Sequence, residues 1–255
     1  MIFNNLKLPQ KLNNSETMNW VGSDNKEAFE GHIKKHPTSI HLQNYIETPI
    51  KYKLNNYGFR TPDDFKKGDE GTVYLGCSHT FGIGHYLENV WSYKLHQKIG
   101  EGKFFNLGHG ATGLTSQYYF LKYFSDKLKI KKVYHLYPTE CLYRYGLMDK
   151  KGRIEIVGKL REYEVTELKQ KLWQEYLINE TYNEFHNSVY KDAIKNVCKE
   201  MGCEYIVYEK SSYKPIDPYS DTMVPARDLM HYYVEQQQNL YEIFLKMSGK
   251  NNTII

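Results

Sequence analysis

The sequence predicts an α/β fold of three layers, helix–sheet–helix, around a mostly parallel central sheet. Short runs rich in β-branched and aromatic residues recur and end on turn residues: Gly71 to Cys77, Lys103 to Leu107, Lys132 to Tyr137 and Cys203 to Tyr208. Between them lie longer segments with helical spacing, such as Glu88 to Ile99, where Val90, Trp91, Leu95 and Ile99 fall close to one face. Strands alternating with helices imply parallel pairing through right-handed crossovers.

Taken in order, residues 1–60 are polar and irregular, rich in Asn, Lys and Thr. They read as an extension packed on a main domain of residues 61–250, with too little apolar content for a core of their own. Within them Glu27 to Lys35 predicts a short helix stopped before Pro37, and Ile46 to Leu54 an edge strand. Asn56-Tyr57-Gly58-Phe59-Arg60 marks a turn followed by an aromatic anchor. The first sheet strand ends at Gly76-Cys77-Ser78, and Gly100 closes the helix after it. Leu114 to Leu128 predicts a second helix, and Pro138 ends the third strand. Arg153 to Leu160 predicts an extra strand or hairpin. Thr166 to Cys198 is helical with a break near Asn179 to Asn183, and Ala226 to Met247 is mostly helix.

Composition narrows the function classes. The 255 residues carry a net charge of only +4, a weak pull on anionic partners. The run Lys127 to Lys132 sits where a helix gives way to a strand and reads as solvated helix-end charge, so no nucleic-acid partner is expected. The four cysteines show no CxxC spacing, which suits free thiols in a reducing compartment. The first residues lack a continuous apolar run, and no stretch approaches the roughly 20 apolar residues of a membrane span. A cytoplasmic protein without signal peptide is therefore expected. GxGxxG and GxxxxGK[ST] are both missing, which argues against nucleotide chemistry, and without a compact ligand motif such as HExxH no metal or other cofactor is expected.

Ser78 is the candidate nucleophile, because a serine just beyond a buried parallel strand lies where ligands bind in such sheets. His231 is the favoured base. Asp228, three residues before it, either orients the imidazole or caps a helix start. Further cleft candidates are His79, beside the serine, and His109, after the second strand.

Together these blocks resemble those of the SGNH/GDSL hydrolases, a family of lipases and esterases that includes carbohydrate deacetylases. Gly76-Cys77-Ser78 is similar to the first block, with Cys77 where an Asp is usual. Asn106-Leu107-Gly108 is similar to the second, and Asp228-Leu229-Met230-His231, preceded by Ala226-Arg227, to the last. The resemblance spans about residues 55–247. It implies a flavodoxin-like sheet, a Ser78–His231–Asp228 triad and an oxyanion hole from the Ser78 and Gly108 amides. The implied substrate is a small-molecule or carbohydrate ester. Two departures stand out. Pro138-Thr139-Glu140 replaces the third block's Asn, and Tyr232 replaces a frequent proline. Glu140, Asn179 and Asn183 are the remaining cleft candidates, the two Asn as substitutes for the missing donor. The competing expectation is a weak or inactive protein of this fold that binds glycan or protein.

Overall fold

The computed structural model describes residues 17–138, 144–148, 154–157, 179–210 and 223–249. The chain begins with β1 (Thr17–Met18) and α1 (Lys26–Lys35), whose first turn is capped by the Asn25 side chain accepting the Ala28 N–H. Then come α2 (Ile40–Glu47), capped by Ser39, and β2 (Tyr52–Lys53), antiparallel to β1. The edge strand expected over Ile46 to Leu54 is thus the end of a helix followed by a two-residue strand. The Ser39 cap and the helical spacing of buried Leu42 and Tyr45 outweigh the β-propensity of this stretch. Val21, Phe29, Leu42, Tyr45, Ile50, Tyr52 and Leu54 make a buried cluster with Phe81 and Ile83. The apolar content judged too low for a core is therefore enough for a shared one, completed by the loop that follows Ser78.

The main domain continues with β3 (Glu70–Leu75), α3 (Ser78–Phe81), α4 (Trp91–Ile99), β4 (Lys103–Asn106), α5 (Leu114–Ser125) and β5 (Lys129–Pro138). An antiparallel hairpin follows, β6 (Tyr145–Met148) with β7 (Ile154–Val157). The chain closes with α6 (Glu180–Met201), β8 (Glu204–Lys210) and α7 (Val234–Met247). Of the long helix expected over Thr166 to Cys198, residues 166–178 lie outside the described residues. Gly100, expected to close α4, does follow its last residue Ile99, in extended backbone (φ −66°, ψ 147°).

The four-stranded sheet runs β4-β3-β5-β8 and is parallel throughout. Beyond a register shift between β3 and β5 at Gly71/Thr72, its side chains alternate as a pleat demands. Val73, Leu75, Val133 and Tyr137 face Phe120, Phe124, Ile194 and Val197 of α5 and α6. Tyr74, Tyr134 and Leu136 face Trp91, Leu95, Leu240 and Phe244 of α4 and α7. Trp91 and Phe244 stack at 4.4 Å between ring centres. Each such buried side chain contributes about 1.5–3 kcal/mol. The result is the three-layer α/β arrangement. The chain leaving β3 leads to β4 on one side and the chain leaving β5 leads on to β8 on the other, so a crevice opens at the carboxyl ends of β3 and β5. Ser78 stands just past the end of β3.

Candidate active site

The serine side of the site is built mainly from backbone. Ser78 opens α3, which ends at Gly82 in the left-handed region (φ 82°). The side chain of Ser78 is buried, and among the described residues its hydroxyl makes no hydrogen bond. Arg60 fixes the loop from below: Nη1 donates to the Phe81 and Gly82 carbonyls and Nη2 to that of His85 at 2.8 Å. It lies over the Tyr52 ring at 4.5 Å. Burial lowers its pKa to about 10, so it remains a cation at neutral pH. The turn-and-anchor segment ahead of β3 therefore ends in a side chain that clamps the loop after Ser78.

Gly108 sets the spacing on the other side. A Cβ there would lie 2.5 Å from the Phe81 amide nitrogen, so only glycine lets the loop after β4 touch α3. Its N–H, expected to donate to an oxyanion, donates to Asn106 Oδ1 at 2.9 Å, while Asn106 Nδ2 donates to the Thr80 carbonyl. The amide is already engaged, because Asn106 spends both ends of its carboxamide tying the loop to α3.

The Asp228–His231 side is built from side chains. Asp228-Leu229-Met230-His231 is a turn and not the start of a helix, since α7 begins only at Val234. Leu229 sits in the left-handed region (φ 52°), a conformation that costs energy in a branched residue and tends to occur at functional sites. The turn folds the carboxylate back on its own chain. Asp228 Oδ1 accepts the Met230 and His231 amides at 3.1 and 3.3 Å. Asp228 Oδ2 and His231 Nδ1 are 2.7 Å apart. An ionised carboxylate only accepts, so Nδ1 carries the proton and Nε2 is left with its lone pair. Burial alone would raise the Asp228 carboxyl. The His231 ring, the bonds to it, Ser23 Oγ and the Met230 amide outweigh that and hold it well below the ordinary carboxylate range.

Ser23 and Asp24 come from the N-terminal segment. Ser23 Oγ donates to Asp228 Oδ2 at 2.6 Å. Asp24 takes Arg227 bidentately, with Nε at 2.8 Å and Nη2 at 2.6 Å, and also accepts from the Tyr52 hydroxyl. The Tyr52 hydroxyl accepts the Gly84 N–H at 2.9 Å, and the Gly84 carbonyl accepts the Arg227 N–H at 2.9 Å. A Cβ on Gly84 would come within 2.8 Å of Ala226 Cβ and 3.1 Å of Asp228 Oδ1. That glycine is where the two halves of the site meet. Sequence reasoning missed Ser23, Asp24 and Tyr52. The one available hint was Arg227, a cation inside an apolar stretch, which needs a buried anion.

The rings follow the same junction. His79 stacks on Tyr232 at 3.6 Å and meets His231 edge-on at 5.1 Å between ring centres. Tyr232, where the resemblance has a proline, thus supplies a platform for His79. Gln237 of α7 donates to the His79 carbonyl and accepts the Trp91 amide, tying α7 to both α3 and α4. His85 is fully buried and burial, then the nearby His231, pushes it down to about 3. His109 is also buried; desolvation pushes it down to about 4, and its Nδ1 donates to the Gly110 carbonyl at 3.0 Å.

The Asn candidates have local work. Asn179 caps α6 by accepting the Tyr182 amide, and Asn183 Nδ2 donates to the Asn179 carbonyl at 2.8 Å. Neither is hydrogen-bonded to Ser78 or His231. Glu140 lies outside the described residues. Among the described residues no three His, Cys, Asp or Glu side chains are grouped so as to hold a metal ion, and no helix is long and apolar enough to cross a membrane. Compared with protein-family models and with curated proteins, the chain matches none of them.

Proposed function

We propose that the protein is a serine ester hydrolase of the SGNH type, acting on short acyl esters such as O-acetylated carbohydrate. One observation carries the reading. A buried carboxylate with four hydrogen bonds holds the His231 ring at 2.7 Å, and that ring meets His79, the residue after Ser78, edge-on at 5.1 Å between ring centres. The β4-β3-β5-β8 order, which puts Ser78 at the crevice, supports it further.

In this scheme His231 Nε2 takes the Ser78 proton as Oγ bonds to the ester carbonyl carbon. Asp228 stabilises the imidazolium. The Ser78 N–H, which has no acceptor among the described residues, donates to the oxyanion. His231 then protonates the departing alcohol as the ester C–O bond breaks. Water, deprotonated by His231, attacks the acyl-enzyme and releases the carboxylic acid and Ser78.

The test pairs activity with labelling. Wild type should hydrolyse short acyl esters and be labelled by a serine-directed phosphonate. Ser78→Ala and His231→Ala should lose both while keeping the wild-type circular dichroism spectrum. Full activity in Ser78→Ala would sink the scheme. A second reading, a non-catalytic binding protein of this fold, draws on the engaged Gly108 amide. A single donor is worth roughly 10²–10³ in rate in such enzymes. That reading expects no labelling of wild type and unchanged glycan binding in Ser78→Ala.

A further inference from the structure

A cavity of about 450 Å³ lies between α1 and α2 and reaches Arg227. Its size is in the range of small-molecule sites. Trp20, Phe29, Ile33 and Tyr45 make apolar walls, and Lys34 and Arg227 also line it. Lys26 lies at the rim as well, but Glu30 offsets its charge at 3.7 Å.

The polar part of this lining is unusual. Arg227 is 1% exposed, with its guanidinium 4.0 Å from the Trp20 ring centre. Nε and Nη2 are consumed by Asp24 and the Asn19 carbonyl. Nη1 is the guanidinium nitrogen with no hydrogen bond among the described residues. Nη1 is not sealed from solvent, so it can offer an N–H to an acceptor bound in the cavity. Asp24 cancels the Arg227 charge and Glu30 that of Lys26, so Lys34 leaves the cavity with a net positive charge. One acceptor site and one surplus positive charge on otherwise apolar walls fit a single anionic head on an apolar body. They do not fit a polyol, which needs many polar partners.

We propose that this cavity binds an amphipathic monocarboxylate. The apolar chain lies against Trp20, Phe29, Ile33 and Tyr45, and the carboxylate accepts from Arg227 Nη1 beside Lys34. The site is separate from the ester-hydrolysis reading and stands or falls without it.

Calorimetric titration of the full chain with octanoate, and with octanol as the uncharged control, tests it. Octanoate should bind saturably to one site, at least tenfold more tightly than octanol. Ile33→Trp, which fills the cavity from α1 without touching Asp24, should weaken octanoate at least tenfold, and Lys34→Glu several-fold. Ser78→Ala should bind octanoate as wild type does, which separates this site from the serine. Equal binding of octanol and octanoate would overturn the proposal, as would unchanged affinity in Ile33→Trp. Binding that appears only after removal of residues 1–16 would give the cavity to the chain's own N-terminal segment. A concentration-dependent dimer abolished by Ile33→Trp would give it to a second copy. Either result overturns the carboxylate assignment.

Discussion

The two halves of the site are held by opposite means. The Asp228–His231 half hangs on side chains from the N-terminal segment: Ser23 on the carboxylate, Asp24 on Arg227 and Tyr52 on both Asp24 and Gly84. The Ser78 half hangs on backbone, with Arg60 chelating carbonyls and Gly108 letting two loops touch. A side-chain network fails when one polar partner is deleted. A backbone junction fails when volume is added or a buried neutral group takes a charge.

The largest expected effect breaks the polar half. Asp24→Ala leaves Arg227 buried and unpaired, a loss of about 3–5 kcal/mol by analogy with other broken buried pairs. Urea denaturation should show it as a lower midpoint with a similar slope. An unchanged midpoint would mean the Asp24–Arg227 pair is not what holds this half.

Next comes pH, which should act on the backbone half. His85 and His109 take up protons below about 6.5 when unfolded, but only below about 3 and about 4 when folded. Both folded values are lowered, so the stability they contribute is complete above about pH 6.5 and declines as pH falls toward those values. At pH 5 the loss is on the order of 2 kcal/mol per histidine. The lowered carboxyl of Asp228 adds the same sign only below its ordinary value of 3.8. Melting temperatures from pH 7 down to pH 5 should drop, and His109→Gln should flatten that slope by about one proton.

Gly108→Ala is expected to cost about 1–3 kcal/mol, because the added methyl meets backbone that cannot step aside. On the proposed mechanism it should also lower ester hydrolysis more than its stability loss explains, since α3 carries Ser78. Thermal melts and kcat/KM on one preparation decide this. A fully stable, fully active variant would show that the loop contact is slack.

The last variant sharpens the comparison through its kinetics. Ser23→Ala removes one charge-assisted hydrogen bond, about 1.5–3 kcal/mol at most, while Asp228 keeps its two amide bonds. On the proposed mechanism kcat should fall several-fold with KM nearly unchanged, and Ser23→Thr should restore most of it. A KM effect alone would make Ser23 a substrate contact.

The alternating strands and helices were legible because burial imposes a period. Val73, Tyr74 and Leu75 read as a strand, and they do alternate between the two helical layers. The Ser78 and Asp228–His231 blocks were legible as residue types at a spacing. The conformation of the second was not. Apolar periodicity over Ala226 to Met247 suggested one helix, whereas capture of the Met230 and His231 amides by Asp228 makes a turn.

By itself the sequence determined the layered sheet, the place of each of its four strands in the chain and which side chains are chemically able to act, since these follow from local periodicity and composition. Only the tertiary structure decided that Ser23 and Asp24 reach Asp228 and Arg227 across more than 200 positions. It also decided that Asn106 takes the Gly108 amide and that a charged-floored cavity opens beside Arg227. The physical reason is that a hydrogen-bond partner is chosen by proximity in space. No local period encodes which distant polar group will satisfy a buried one.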